Sequence, residues 1–435
     1  MLRKILFLSI LLNSLFLFAD KITYDIEIYP QGDIHPVGTK VKFVGKLFGN
    51  NETPKDGFVR YEEYLDGIRK RVGYAKYQDK IILERIIKNP GCFDVCLQIV
   101  DKNKRLVNIP SLHRKSIGKG VLIAPEKLER SGTKPIDFDL FWQSRRDLLN
   151  KVPIKELYRR QLKVPKNLTD KIIAFDITVS CAGNGPVSGV LTMPNNAEKK
   201  SLPAIVLFMG AGVHSANVNT TYGQYAITFQ MNPHSIKNLQ PKEYYQNLAK
   251  TSLFNYSNKN INNRDKIYFH DMFLRVMRSL DYVKSLPEWN GKVLIVKGGS
   301  QGGAQSIVAA ALDNNVTMMI AEVPAMCDHS ALLMTKPRLH GWPRFYNAKA
   351  SKEVIKATSY YDMINFASKI KCKSFVTAGA LDHVCSPCGV FAAYKEIASK
   401  DKQFLFHPYG NHILTQVDSM FRATYINEIF NQIKK

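Results

Sequence analysis

The sequence predicts an α/β fold with a mostly parallel sheet and helices on both faces, preceded by a small antiparallel β-sandwich. Three observations indicate this fold class. Residues 22–128 form short runs of alternating polar and apolar side chains, separated by turn signals such as "FGNN" and "NPG". From residue 171 onward, short apolar strands alternate with amphipathic helices, which is typical of a parallel sheet covered on both faces. A glycine-rich turn around one serine joins the strand "KVLIV" to the helix "AQSIVAAALD".

The length and composition bound the number of domains. The chain has 435 residues, which is longer than one ordinary domain. Its residues are 45% hydrophobic and 23% charged, so the chain can bury a large core. The composition changes near residue 128, where a polar linker follows the last short strand. We predict three segments: a signal peptide at 1–19, an immunoglobulin-like β-sandwich accessory domain at 20–128 and a catalytic domain at 129–435.

The N-terminal stretch "MLRKILFLSILLNSLFLFAD" has the pattern of a secretory signal. Arg3 and Lys4 form a basic start, Ile5–Phe18 is mostly apolar, and Ala19 is a small residue suited to cleavage. The alternative is an uncleaved N-terminal anchor. No later apolar stretch approaches about 20 residues, so we expect no stable membrane insertion after removal of the signal. The expected location is secreted or periplasmic.

The strong positive charge does not indicate a nucleic-acid partner. The formal net charge is +24, but the lysines are scattered without a run of five, and no nucleic-acid-binding motif is present. We therefore predict a basic, solvated surface and no nucleic-acid partner.

The seven cysteines are too few for a disulfide scaffold. Cys92 and Cys96 share one face of a predicted strand but lie too far apart along it to bridge each other. Cys385 and Cys388 have redox or zinc half-site spacing, yet no second pair completes a metal site. A small disulfide or buried thiols are the two remaining interpretations, and we expect neither metal nor cofactor.

The elements follow from local patterns. In the sandwich, alternation predicts strands at Tyr24–Tyr29, Lys40–Phe48, Phe58–Leu65, Lys80–Ile87 and Cys92–Val100. A helix follows the linker, and Asp137 or Asp139 is expected to cap it. A hairpin, "KIIAFDITVSC" and "VSGVLTMP", then leads to apolar strands in "PAIVLFMGAG", "KVLIV", "TMMIAEVP", "SFVTAGALD" and "QFLFHPYGNHI". The helix "DMFLRVMRSLDYVKSL" places its apolar residues on one face.

The sequence Gly298-Gly299-Ser300-Gln301-Gly302 fits the G-x-S-x-G pattern of a nucleophile turn. A sharp turn between strand and helix holds the serine oxygen outward, and small residues two before and two after it avoid clashes. The alternatives are a phosphate-binding loop, which would need Gly-Lys-Ser/Thr, or a plain tight turn. The strand before the motif and the helix after it favour a nucleophilic Ser300.

A nucleophilic serine needs a general base and a carboxylate that orients the base. Asp382 follows the strand "SFVTAG" and His412 follows "FLFHPYGN", in the chain order expected for this kind of fold. The N–H groups of Gln301 and Ala211 are the predicted oxyanion donors. Four other side chains could compete for these roles or line the pocket: Asp328, His329, His383 and His407. Of these, Asp328 is the one serious alternative to Asp382 as the acid. Gly210, Gly212 and Asp328 are predicted to contact substrate.

Several quoted stretches resemble the acetyl xylan esterase and cephalosporin-C deacetylase family, carbohydrate esterase family 7, within the α/β-hydrolase superfamily. They include "PIDFDLFW", "KVLIVKGGSQGGAQSIVAAALD", "SFVTAGALDHVCSP" and "GNHI", and span about residues 130–435. The resemblance implies an α/β-hydrolase fold and a serine esterase that removes acetyl groups from sugar hydroxyls without a metal. It implies Ser300 as nucleophile, Asp382 as acid and His412 as base.

The chain departs from this family in two respects. An aromatic residue is usual where Ala211 stands, so the acyl pocket would be wider and strict acetyl preference is in doubt. The sandwich is a domain additional to the plain form of the family. Together with residues 214–265 it would block or replace the hexamers that members often form, so the sequence allows a homo-oligomer without specifying one. The alternatives are an esterase of broader acyl or feruloyl specificity, a serine exopeptidase of the same superfamily and a non-catalytic polysaccharide-binding protein.

Overall fold

A computed structural model describes residues 23–48, 53–108, 117–346, 349–413 and 419–433. The predicted signal peptide, 1–19, lies outside the described residues. Within these ranges no helix has both the length and the apolar character that a bilayer crossing requires.

The N-terminal part is a β-sandwich of two sheets. Its strands are β1 (Thr23–Tyr29), β2 (Ile34–His35), β3 (Lys40–Phe48), β4 (Phe58–Leu65), β5 (Ile68–Ala75), β6 (Ile81–Ile86), β7 (Gly91–Val100) and β8 (Ile117–Ile123). One sheet has the order β1-β3-β6 and the other β2-β8-β7-β4-β5. All pairs are antiparallel except the two-residue pair β2–β8, which is parallel and departs from the purely antiparallel prediction. The alternating faces of β1, β3 and β7 meet in a core that includes Phe43 and Phe93.

Strands β7 and β8 are buried on both faces, which is unusual for an antiparallel sandwich strand with one solvated face. Phe93 and Val95 alternate into the sandwich core, whereas Cys92 belongs to a second cluster with Cys388 of the C-terminal part. The two parts of the chain therefore share an apolar contact along these strands.

The linker leads into helix α1 (Phe138–Asn150), which buries Phe138, Phe141 and Trp142. Asp137 stands at the N-cap as predicted, but its side chain accepts no hydrogen bond from the helix backbone. Its carboxylate instead accepts a hydrogen bond from Arg264 at 2.7 Å.

A nine-stranded sheet forms the centre of the C-terminal part. Its strands are β9 (Glu156–Gln161), β10 (Ile172–Val179), β11 (Val187–Pro194), β12 (Leu202–Phe208), β13 (Ile227–Asn232), β14 (Trp289–Gly299), β15 (Met318–Glu322), β16 (Lys373–Gly379) and β17 (Lys402–His407). The order is β17-β16-β15-β14-β12-β13-β11-β10-β9. The six strands from β17 to β13 run parallel, and β11, β10 and β9 continue antiparallel.

Helices cover this sheet on both faces. They are α2 (Lys242–Lys250), α3 (Tyr268–Ser285), α4 (Gln301–Leu312), α5 (Lys352–Ser359), α6 (Met363–Ala367), α7 (Pro387–Glu396) and α8 (Ser419–Ile433). Helices α3 and α4 contribute to the main core, and α8 contributes Tyr425 and Ile429 to a second cluster with β12, β14 and β15. The predicted fold class, an α/β-hydrolase preceded by a small β-sandwich, is confirmed.

Candidate active site

Ser300 occupies the sharp turn between β14 and α4. Its φ and ψ are 57° and −121°, a backbone conformation that a residue with a side chain adopts only where the surrounding structure enforces it. The Ser300 N–H donates to the carbonyl of Glu322 at 2.8 Å, which fixes the turn against β15. Ser300 is 8% exposed, so the turn presents it at the edge of the sheet without solvating it fully.

The glycines on either side of Ser300 are required by close backbone approach. A Cβ atom at Gly298 would lie 2.4 Å from the carbonyl oxygen of Gly302, and one at Gly302 would lie 2.2 Å from that of Phe208. Such contacts are far below van der Waals separation, so any larger residue would force the strand and the helix apart. The motif therefore has the physical basis inferred from its sequence.

The structure brings Ser300, His412 and Asp382 together from three separate turns. The Oγ of Ser300 lies 3.0 Å from Nε2 of His412, and Nδ1 of His412 lies 2.8 Å from Oδ2 of Asp382. Asp382 follows β16 and His412 follows β17, so both side chains come from the carboxyl ends of parallel strands.

The carboxylate of Asp382 has no solvent exposure, and backbone groups fix its orientation. Its Oδ1 accepts hydrogen bonds from the N–H groups of Val384 at 2.9 Å and Cys385 at 2.8 Å. Its Oδ2 remains for the imidazole. A carboxylate at Nδ1 favours the tautomer that carries its proton there, which leaves Nε2 free to accept the proton of Ser300.

The rival residues have other partners. Asp328 is fully buried, and its carboxylate accepts hydrogen bonds from the Ser131 N–H at 2.8 Å and from Arg338 at 2.9 Å. Asp328 has no exposed surface, and its hydrogen bond from Ser131 joins the linker to the C-terminal part of the chain. Its predicted contact with substrate stays a prediction. His329 is also buried, and desolvation lowers its pKa to about 4.

The loop after β12 carries the other predicted oxyanion donor. Ala211 is exposed, and Gly210 and Gly212 on either side are partly buried, so the loop opens to solvent beside the nucleophile turn. The side chain of Gln305, on α4, donates to the carbonyl of Met209 at 3.0 Å and ties the start of the loop to the helix after Ser300.

Two further residues, Tyr256 and His234, form hydrogen bonds to the nucleophile turn and to the loop after β12. No motif in the sequence points to either of them. The hydroxyl of Tyr256 donates to Oε1 of Gln301 at 2.7 Å, and Nε2 of His234 is 2.9 Å from the carbonyl oxygen of Gly212. Burial lowers the pKa of His234 to about 4, so the ring is neutral at pH 7 and Nε2–H can donate. Both residues lie in segment 214–265, outside its regular elements β13 and α2.

All seven cysteines lie in the described part of the chain, and all are free thiols. Five of them are buried, and Cys181 and Cys372 are partly exposed, so buried thiols rather than a disulfide describe Cys385 and Cys388. Cys385 is close to the triad through its N–H bond to Asp382, and desolvation raises the pKa of its thiol well above the usual range.

With this geometry described, comparison with known proteins identifies the family. The sequence profile of the acetyl xylan esterase family matches residues 126–425. Acetyl esterase Axe7A of Xylanibacter ruminicola is 31% identical over 339 residues, which cover 76% of this chain and 72% of that protein. Both matches confirm the predicted class of enzyme, a carboxylic ester hydrolase.

Solved structures show the same fold. The acetyl xylan esterase from Paenibacillus sp. R4 superposes with a TM-score of 0.58 at 21% identity, over 71% of this chain and 98% of that one. Acetyl xylan esterase 1 from Thermoanaerobacterium sp. JW/SL YS485 gives 0.55 at 23% identity, over 66% and 92%. Because the family profile covers well over half of the sequence, the chain belongs to the acetyl xylan esterase family.

Proposed function

We propose that the protein removes acetyl groups from acetylated carbohydrate, xylan or xylo-oligosaccharide, through an acetyl-enzyme on Ser300. One observation carries the assignment of residues: the unbroken hydrogen-bonded series from Ser300 through His412 to the buried Asp382. The kind of substrate follows from family membership and from the name of the curated relative, an acetyl esterase.

The reaction has two half-steps. Ser300 Oγ attacks the acetyl carbonyl while Nε2 of His412 takes the hydroxyl proton, and the resulting oxyanion accepts hydrogen bonds from the N–H groups of Gln301 and Ala211. His412 then gives the proton to the departing sugar oxygen, which leaves an acetyl ester on Ser300. Water attacks this ester while His412 takes one of its protons. His412 then returns that proton to Oγ of Ser300 as the acyl bond breaks, and acetic acid leaves and ionises to acetate. Asp382 stabilises the imidazolium in both half-steps.

The exposed Ala211 supports a second, broader candidate. A small side chain at the predicted oxyanion loop leaves room beside the acyl group, so longer acyl or feruloyl esters are the alternative substrates. The same triad would serve them without change.

Acetate release from acetylated xylan and from peracetylated xylose tests the proposal, beside an aryl acetate, a feruloyl ester and a peptide amide. We expect turnover of the acetyl esters, and loss of at least about 10⁴-fold in kcat in Ser300→Ala. Ser306→Ala is the matched control, because Ser306 lies on α4 and its hydroxyl donates to the helix carbonyl of Gly302 at 2.9 Å. Full activity in Ser300→Ala would refute the assignment, and faster feruloyl or peptide turnover would change the substrate class.

We further propose that the protein is exported, with cleavage after Ala19, and that residues 20–128 and 129–435 form accessory and catalytic units. The basic and apolar pattern of the N-terminus supports the first point. The separate sandwich and nine-stranded sheet support the second. N-terminal sequencing of protein from the periplasm or medium should begin at Asp20.

A further inference from the structure

We propose that the β-sandwich positions the catalytic acid: Asp94 of β7 acts on Asp382 through His383. The inference rests on the proposed function, because it assigns a role to the neighbour of the predicted acid. It gives the accessory part of the chain a function in catalysis that does not require polymer binding.

The contact is a hydrogen-bonded ion pair between the sandwich and the acid loop. Nε2 of His383 lies 3.0 Å from Oδ1 and 3.3 Å from Oδ2 of Asp94. The imidazole also packs against the ring of Tyr64, on β4, with centroids 3.9 Å apart and the ring planes tilted by 31°. His383 is the residue directly after Asp382, so two groups of the sandwich fix the chain at the acid.

The charges make this contact specific. Asp94 is 1% exposed, and in the described part of the chain His383 is its one ion-pair partner. Burial disfavours the charged imidazole, but the charge and hydrogen bond of Asp94 outweigh that penalty, and the pKa of His383 is raised. Asp382 and Glu62 add to the raising effect. A buried carboxylate without a cation is costly, so the pair holds His383 in one place.

The position of His383 determines how the acid carboxylate is held. Oδ1 of Asp382 is oriented by the N–H groups of Val384 and Cys385, the two residues after His383. Arg344 donates to the carbonyl of His383 at 2.6 Å and fixes the same peptide from the other side. If His383 shifts, these N–H donors move, and the Oδ2 that faces His412 moves with them.

Strand β8 contacts the second loop of the triad. The N–H of Gly120 donates to the carbonyl of Pro408 at 2.8 Å, in the loop that leads to His412. A Cβ atom at Gly120 would lie 2.7 Å from that of Ala380, so glycine is required for this close approach. The buried outer faces of β7 and β8 therefore touch both the acid loop and the base loop.

The test measures kcat and KM on an aryl acetate, with kcat expressed per active site titrated by a fluorophosphonate. His383→Gln leaves the Asp94 charge buried without a cation, and we expect kcat to fall about ten-fold or more, because a shift of about 1 Å at a site can cost about 100-fold. We expect KM to change little. Adding Asp94→Asn to His383→Gln should restore kcat several-fold, because the unpaired charge is removed.

Glu63→Gln is the matched control. Glu63 is 3% exposed in the same sandwich, and its carboxylate pairs with Arg85 of β6, so Glu63→Gln also breaks an ion pair of a buried sandwich carboxylate. We expect lower thermal stability with unchanged kcat per site. An unchanged kcat per site in His383→Gln, or equal losses in the two variants, would overturn the positioning role.

Two more outcomes separate this inference from its alternatives. Asp94, Cys96 and His383 have ligand atoms within 4.8 Å of one another and are of types that bind zinc. If EDTA lowers the kcat of the wild-type protein and Cys96→Ser lowers kcat to the same extent, a bound metal rather than the ion pair would explain the positioning. We expect neither result. Inactive Ser300→Ala with unaffected His383→Gln would refute only the positioning role, whereas active Ser300→Ala would overturn the proposed function and this inference together.

Discussion

Oδ2 of Asp382 lies 2.8 Å from Nδ1 of His412, although the two residues follow different strands and are 30 positions apart in the chain. The other oxygen of this buried carboxylate is occupied by two backbone N–H groups. The carboxylate thus has one free direction, and that direction is towards the imidazole. This geometry defines what substitution of the acid should do.

Asp382→Asn should keep the shape of the site and lose most of the rate. An amide at this position can present N–H to Nδ1, which favours the wrong imidazole tautomer and no longer stabilises the imidazolium. We expect kcat on an aryl acetate to fall by about 10³–10⁴-fold, with little change in KM. Asp313→Asn is the control, since Asp313 is a buried carboxylate paired with Lys284 at 2.5 Å away from the triad. Equal kcat values for the two variants would argue against an acid role for Asp382.

Gly298→Ala should damage the nucleophile turn directly. The added methyl group would lie 2.4 Å from the carbonyl oxygen of Gly302, and neither backbone can move without separating β14 from α4. We expect the free energy of unfolding to fall by about 2–3 kcal/mol or more, together with kcat. Gly291→Ala introduces a methyl group into open space at φ +73°, so it should cost about 1–2 kcal/mol through backbone strain and leave kcat intact. Normal kcat in Gly298→Ala would show that the close approach is not needed.

The positions of Ser300, Asp382 and His412 could be predicted because each follows a strand with a clear apolar pattern. In a parallel sheet the carboxyl ends of such strands meet at one edge. The order of the three residues in the chain and the motif around Ser300 were therefore sufficient to predict that they lie together. The catalytic roles themselves stay predictions.

Other features could not be predicted, because tertiary packing determines them. Strand β8 contains Gly118 and Gly120, which weaken its strand signal. A Cβ atom at Gly118 would lie 2.2 Å from the carbonyl oxygen of Val95 on β7, and one at Gly120 would lie 2.7 Å from the Cβ of Ala380 in the C-terminal part. Asp328 had the right place in the sequence for a pocket residue, but it is fully buried where it bonds Arg338 and Ser131, the latter 197 positions earlier in the chain. Tyr256 belongs to an irregular segment whose path no local period describes.

Ala211→Phe should narrow the range of acyl groups. Ala211 is exposed beside the nucleophile turn, and its predicted role uses only the backbone N–H, which the substitution keeps. A ring here would fill space beside the acyl chain, and each methylene excluded from a pocket is worth about 1–3 kcal/mol. We expect kcat/KM for hexanoyl esters to fall at least about ten-fold relative to acetyl esters of the same alcohol. An unchanged ratio would place the acyl chain away from Ala211.

Tyr256→Phe should affect both stability and rate. The variant removes the hydroxyl that donates to the buried Oε1 of Gln301, whose Nε2 has no partner in the described structure. An unsatisfied buried amide costs about 1–3 kcal/mol in the free energy of unfolding. We expect kcat to fall by up to about ten-fold, less than the 10²–10³ typical of losing an oxyanion donor outright. Tyr245→Phe, which loses a bond to the carbonyl of Lys237 and one from the N–H of Gln240, should leave kcat unchanged.

Acid should destabilise the protein through buried neutral histidines. Burial lowers the pKa of His234, His329 and His340 to about 4 in the folded protein, whereas the unfolded chain has values of about 6.5. The unfolded state therefore binds more protons, and the stability these residues contribute is full above about pH 6.5 and is lost as the pH falls towards 4. Each histidine adds about 1.4 kcal/mol per pH unit to the slope in that window. His340→Gln should reduce the slope of unfolding free energy against pH, measured by urea titration between about pH 6 and 4.5, by that amount; an unchanged slope would mean that His340 is protonated in the folded protein.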